Sequence, residues 1–456
     1  MNVALDLLYG GASNLAAYLA AHVLLCLLPA FFIAGAMAAL VPKSAITRWL
    51  GRSTPPYLSY PAAALAGSVL AVCSCTIVPL FAGIHRKGAG LGPAVTFLFF
   101  APASNILALT YTGSILGADL AFARLLLSLV FGIGIGLLMA LIFRRDDAAH
   151  DLKTDPLFTG QARLSGAAGG LFLALGALLI AGTLKADWLS DSYGSFILPF
   201  STAEAWQAQL KQWVPFDAAK GEEGVSLQGS LLIALLMLIG FAAWRGLENI
   251  IEGANRWTWF ALGLTAATLL VAALKLIPVA GGLEVAFTGR AAAEGAAMLG
   301  IAAMGRRLGS EALRSWLWES WRFVKEIFPL LVIGVFAVGV IRGLIRPEWI
   351  QSLTGRNSLL GNAAAVGFGV FMYFPTLVEV PVARMFLDLG MHRGPLLAYL
   401  MADPELSLQS MIIISAVIGR LKTGVYVAWV ALFSMAAGLL YGAWVDLIIE
   451  RGGMPW

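Results

Sequence analysis

The chain alternates long apolar runs with short polar joints, the pattern of a protein that crosses a bilayer many times. A spanning helix needs about 20 mostly apolar residues. Residues 15–41, 93–111, 119–143, 166–184, 227–244, 257–281, 328–345, 395–418 and 423–446 supply such runs. Two further stretches, 57–84 and 358–384, are apolar but interrupted. The first holds Pro61, Gly67, the triplet Cys73-Ser74-Cys75 and Pro79; the second holds Gly361, Gly367, Gly369, Pro375 and Pro381. Proline removes a backbone donor and glycine weakens a helix. Each stretch therefore predicts a re-entrant hairpin or a pair of half-helices. The expected fold is an all-α polytopic membrane protein of about 8–10 transmembrane helices.

A repeat underlies the pattern. Shifted by 302 positions, Val78, Pro79, Gly88, Gly92, Pro93, Leu98 and Pro102 fall on Val380, Pro381, Gly390, Gly394, Pro395, Leu400 and Pro404. Further on, Gly117, Phe131 and Gly136 fall on Gly419, Phe433 and Gly438. Three prolines in register mark two copies of one unit. The expected organisation is a repeat over residues 1–145, a connector with additional helices over 146–320, and a second repeat over 321–456.

Loop charge gives the orientation. Lys43, Arg48 and Arg52 precede the first broken stretch, and His85, Arg86 and Lys87 follow it. Both loops belong in the cytoplasm if that stretch re-enters. Loop 112–119 has no Lys or Arg and is expected outside, while Arg144 and Arg145 return the chain inside. The N-terminus is then external. Its first 41 residues lack Lys and Arg, so they carry no signal-peptide n-region, and the first hydrophobic segment is expected to remain. In the second copy Arg420 and Lys422 stand where the first has its uncharged loop, so the copies are expected to be inverted, although Arg342, Arg346 and Arg356 then fall outside. The net acidic loop near 185–226 is expected outside. Residues 283–327, where arginines interleave with Trp316, Trp318 and Trp321, are expected to lie along the cytoplasmic interface.

Composition narrows the class. Hydrophobic residues make up 59% of the 456, and charged residues only 12%, against about 25% in a soluble domain. A soluble enzyme, a disordered chain and most nucleic-acid binders are excluded. The net charge of +4 is spread over short loops and identifies no partner. Cys73 and Cys75 are too close in sequence for an unstrained mutual bridge, so these and Cys26 are expected as free thiols.

Candidate chemistry gathers at the breaks. Thiolates are soft donors, and Cys73, Ser74 and Cys75 stand just before Pro79. Buried cysteine is also simply a small apolar residue. Pro102 with Ser104 and Asn105 marks a second break, whose counterpart around Pro404 carries Asp403, Glu405 and Ser407. Glu379 stands two residues before Pro381. A carboxylate at the bilayer centre costs about 2.5–3.5 kcal/mol even on the lenient scale, which points Glu379, Asp403 and Glu405 toward proton coupling or cation binding. Their structural alternatives are an ion pair between Glu379 and Arg384, and helix N-capping after Pro404. The first copy thus offers thiols and the second carboxylates. The basic pairs in the matched loops at 85–87 and 392–393 read first as topology determinants. The chain lacks the GxxxxGK[ST], HExxH and GxSxG patterns, so an ATPase and a metalloprotease are disfavoured; no cofactor and no resident metal are expected.

Cys73-Ser74-Cys75, Ile77-Val78-Pro79-Leu80, the run Arg86 to Pro93, and Ala101-Pro102-Ala103-Ser104-Asn105 together resemble the ArsP/YraQ-type permeases. So does Pro375-Thr376-Leu377-Val378-Glu379-Val380-Pro381 in the second copy. The resemblance implies a secondary permease of the bacterial inner (plasma) membrane that exports trivalent organoarsenicals, with Cys73 and Cys75 in contact with the solute. The acids of Ala402-Asp403-Pro404-Glu405 depart from that family's pattern. The expected substrate-binding set is Cys73, Ser74, Cys75, Pro79, Ser104, Asn105 and Ser407, with Glu379, Asp403 and Glu405 coupling protons. A small-molecule substrate and the bilayer are the expected partners, with a homodimer as the assembly and no nucleic acid. Alternatives are a transporter of another sulfur-containing solute or a soft metal ion, and a membrane thiol-disulfide redox protein.

Overall fold

The computed structural model describes residues 3–21, 23–41, 43–52, 54–69, 74–104, 106–147, 165–184, 187–200, 202–214, 216–217, 222–279, 281–342, 347–371 and 376–450. Among them eight helices are long and apolar enough to cross a membrane, and a bent pair makes a ninth. The helix Ala118–Ile142 shows how the layers form. Leu125, Leu126, Leu129, Val130 and Leu141 lie exposed on its outer face. Such a continuous apolar face is tolerable only against lipid. By contrast every residue of Leu91–Ala103 is buried. The broken spans form the centre and unbroken helices wrap them: this is a multi-pass membrane protein.

The repeat reappears in the element boundaries. Pro56–Val69, Ser74–Arg86, Leu91–Ala103, Ile106–Ile115 and Ala118–Ile142 correspond to Leu359–Phe371, Thr376–Asp388, Arg393–Leu406, Leu408–Ile418 and Arg420–Glu450. Turn geometry is copied too. Gly88 and Gly390 have φ of 90° and 92°, and Gly117 and Gly419 have 112° and 90°, a region glycine enters at little cost. Helix crossings match as well. A Cβ on Gly92 would sit 3.0 Å from the Gly136 carbonyl oxygen, and one on Gly394 would sit 2.7 Å from that of Gly438. Small residues let these backbones touch, as packing within a membrane requires.

The copies meet along their matched long helices, Ala118–Ile142 and Arg420–Glu450. Phe131 and Phe433, equivalent residues, pack with ring centroids 4.9 Å apart and planes tilted by 45°. Asp119, at the start of the first helix, accepts a 2.6 Å hydrogen bond from Tyr441, late in the second. Lys422, at the start of the second, lies 3.5 Å from Asp146, just past the end of the first. The two helices therefore run antiparallel. The packing is reciprocal: Thr376–Asp388 lies on Ile106–Ile115, and Ser74–Arg86 on Leu408–Ile418.

The connector departs from expectation in two places. The run 257–281 does not stay helical; its helix, Arg256–Ala273, gives way to the strand Lys275–Val279. This strand and Ser192–Leu198 flank Gly282–Thr288 in an antiparallel sheet. The β-branched Ile277 and Val279 suit a strand, and Pro278 cannot supply a helical N–H. Residues 283–327 do not form one interfacial segment. They make the sheet's central strand, the helix Gly289–Arg307 and the first half of a 33-residue helix, Ser310–Arg342. At 1.5 Å per residue the latter is roughly 50 Å long. Trp316 and Trp321 are buried, and donate to the Phe32 carbonyl at 2.9 Å and to Glu248 at 2.8 Å, so both pack inside the protein. The expected repeat boundary at 320/321 falls inside this single helix.

Candidate functional site

Each copy breaks its central span at a proline. Pro102 and Pro404 lie in the last turns of Leu91–Ala103 and Arg393–Leu406. In the second copy the following half-helix leaves at 47°. Ser407 caps it, accepting from the Ser410 N–H at 3.3 Å and donating to the Ser410 hydroxyl at 2.7 Å. In the first copy the helix Leu91–Ala103 ends at Ser104, whose buried hydroxyl is hydrogen-bonded to that of Ser128, and the span runs on to Ile115.

A buried ion pair crosses between the copies beside this first break. Arg124, on the long helix of copy one, donates through Nη2 to both carboxylate oxygens of Glu379, at 3.1 and 3.2 Å. Glu379 lies in the first turn of Thr376–Asp388 in copy two, and neither side chain has exposed surface. Arg124 Nε donates to the Ala103 carbonyl at 2.8 Å, and Nη1 to the Thr112 hydroxyl at 3.2 Å. An ion pair this enclosed is tolerable only when the spare donors are also satisfied. Here the guanidinium ties together the last residue of the broken helix, the half-helix after the break, and the opposite copy.

The second copy carries a different network at matched positions. Tyr426, the counterpart of Arg124, donates to Glu405 Oε2 at 2.6 Å. Glu405 is the counterpart of Ala103, so one helical position reaches one break position in both copies. Asp403 is fully enclosed, and its backbone nitrogen lies 3.0 Å from where a Cβ on Gly369 would stand. Gln409 is also buried, and a Cβ on Gly334 would meet it at 2.6 Å.

Glu379, Asp403 and Glu405 thus all lie inside the protein, with Glu379 held by Arg124 and Glu405 by Tyr426. Two structural alternatives are overturned. Arg384 pairs with Asp388 at 3.2 Å and leaves Glu379 to Arg124. Asp403 and Glu405 are in the final turns of Arg393–Leu406, where they cannot cap a helix start; Ser407 does that. Cys73 and Asn105 lie outside the described residues. Ser74 and Cys75 open the helix Ser74–Arg86, without described side chains, and Pro79 is buried one turn on. Among the described residues no three His, Cys, Asp or Glu side chains converge as a metal requires.

The sequence patterns above single out neither Arg124 nor Tyr426. A signal existed for Arg124: it is the lone charge between Asp119 and Arg144, and an isolated charge within a spanning run marks function or a buried partner. Tyr426 gives no such signal. The loop pair 392–393 also does more than set topology. Arg393 donates to Asp119 and to the Leu116 carbonyl, at 3.0 and 2.9 Å, tying the copies together at one end of the long helices.

Comparison with known proteins covers nearly the whole chain. A family model described as a predicted permease, ArsP_1, matches residues 8–443. The protein MJ0584 of Methanocaldococcus jannaschii, placed in UPF0718, is 32% identical over 430 residues, covering 93% of each chain. The UPF0718 protein YraQ of Escherichia coli is 29% identical over 94 residues, 21% of this chain and 27% of its own. No solved structure matches. The chain belongs to the ArsP_1 family of predicted permeases, membrane proteins of the transporter class.

Proposed function

We propose that this permease exports a small thiophilic solute from the cytoplasm in exchange for protons, with trivalent organoarsenicals as its first candidate cargo. The observation that carries the reading is the Arg124–Glu379 pair, buried where the two copies meet at a broken helix. The antiparallel contact of equivalent helices supports an inverted repeat across the bilayer. Inverted repeats with broken helices suit alternating access, in which one unit rocks against the other around a midplane site. When Glu379 takes up a proton, its attraction for Arg124 falls and the seam between the copies loosens. Solute binding by Cys73, Ser74, Cys75, Pro79, Ser104 and Asn105 belongs to the open half of the cycle. Ser407, Asp403 and Glu405 line the matched half. Soft thiolate donors favour a soft cargo.

Placement in a bacterial inner membrane, a homodimeric assembly and the division into units at 1–145, 146–320 and 321–456 belong to the same proposal. The experiment is uptake into everted vesicles of methylarsenite and a panel of soft solutes, with the wild type and a C73S/C75S double variant. Accumulation by the wild type and its loss in the variant support the reading. Retained flux with lost thiol exchange makes the chain a redox protein instead.

A further inference from the structure

A cavity of about 470 Å³ opens at the far end of copy one, away from the Arg124 site. Its rim carries Arg52 and Arg144, both exposed, and its outer wall is Leu137 and Leu141. Leu141 is 68% exposed, so this wall continues the apolar surface that faces lipid. The inner wall is polar. Asp147 is largely enclosed there and accepts from the Leu91 N–H at 3.0 Å, which holds its charge at the helix start. Tyr60 and Ser59 complete that side. Among the described residues neither rim guanidinium has an ion-pair partner.

The second copy supplies an internal comparison, because the same helices build the equivalent place with different side chains. Asp446 stands where Arg144 does, Asn362 where Tyr60 does, and His392 where Gly90 does. Asn357 donates to the Leu439 carbonyl at 3.2 Å and accepts from Asn362 at 3.0 Å. His392 and Asp446 join at 3.0 Å. The repeat therefore does not dictate the charge found here. Copy one puts positive charge at the mouth of its cavity, where copy two carries the His392–Asp446 pair.

We infer that this cavity is a binding site for an anionic phospholipid of the surrounding leaflet. The phosphodiester sits between Arg52 and Arg144, and the first carbons of the acyl chains run along Leu137 and Leu141. Guanidinium groups are suited to phosphate oxygens. Basic pockets between spanning helices on the cytoplasmic side are a recurrent site for lipid headgroups, and the loop charges put this end in the cytoplasm. A zwitterionic headgroup brings its own cation to the two arginines and is disfavoured. This inference does not depend on which solute is carried.

The full chain, purified in a neutral detergent, is titrated with phosphatidylglycerol, phosphatidylcholine or glycerol 3-phosphate while its thermal melting is followed. Stabilisation by phosphatidylglycerol at concentrations where the other two do nothing is expected. Equal stabilisation by phosphatidylcholine overturns the inference, and full stabilisation by glycerol 3-phosphate makes the cavity a soluble-anion site instead. An R52Q/R144Q double variant is expected to weaken the phosphatidylglycerol effect about thirtyfold, whereas R145Q leaves it unchanged. Should the double variant fail to fold, the three wild-type titrations decide alone.

Discussion

Arg124 and Glu379 meet 3.1 Å apart in the interior, joining the long helix of one copy to the half-helix of the other. The pair holds the two units together only while both charges are present. Removing one partner from such a pair strands the other, at a cost of about 3–5 kcal/mol, whereas replacing both with apolar groups is often neutral. R124M is therefore expected to lower the melting temperature sharply in detergent, and R124M/E379M to recover most of the loss. A double variant as unstable as R124M alone would show that the cost lies in losing the pair itself and not in stranding its partner.

Tyr426 fills the same helical position in copy two, with Glu405 Oε2 as its acceptor at 2.6 Å. Glu405 has no other hydrogen-bond donor among the described residues. Y426F strands a buried carboxylate and is expected to cost about 1–3 kcal/mol. Chemical or thermal unfolding checks this, with Y9F, on an exposed tyrosine, as the neutral control.

The matched glycine crossings give a third expectation. A Cβ at Gly136 would come within 2.7 Å of the Gly92 carbonyl oxygen, and one at Gly438 within 2.7 Å of that of Gly394. G136A and G438A are each expected to destabilise by about 1–3 kcal/mol. Gly176 has nothing within 4 Å of its would-be Cβ, so G176A is expected to be neutral or to stabilise by up to about 1 kcal/mol. Equal effects at all three sites would remove close packing as the reason for the glycines.

The surface network of the connector gives a dependence on pH. Lys325 and then Trp321, hydrogen-bonded to Glu248, hold its carboxyl below the usual carboxylate range. A depressed carboxylate stabilises the fold above its ordinary value of 4.5, and that contribution is lost as pH falls through the lower folded value. The group is at the surface, so screening keeps the effect below about 1 kcal/mol. Wild type is expected to melt slightly above E248Q near pH 7, with the gap closing in acid below about pH 4. A gap that widens in acid would contradict the assignment.

The sequence carried more of the frame than of the wiring. Pro79, Pro102 and their counterparts at a 302-residue shift gave the repeat, because proline limits where a helix can continue. The shared turn glycines were legible for the same reason. Arg124 and Glu379 are 255 residues apart, and their meeting follows from the packing of the copies, which no local pattern encodes. The sheet around Gly282–Thr288 was hidden because an apolar run beside a helix reads as more helix. The cavity at Arg52 and Arg144 was invisible too, since its walls come from residues far apart in the chain, from Gly51 to Asp147.

The most direct test of the account is solute uptake into everted vesicles with and without an imposed proton gradient, comparing wild type with E379Q. Wild type is expected to accumulate methylarsenite faster when the gradient is present. E379Q, compared at equal amounts of folded protein because it strands Arg124, cannot exchange a proton and is expected to lose that acceleration. Undiminished gradient-driven uptake by E379Q would contradict the claim that Glu379 couples the two copies to the proton.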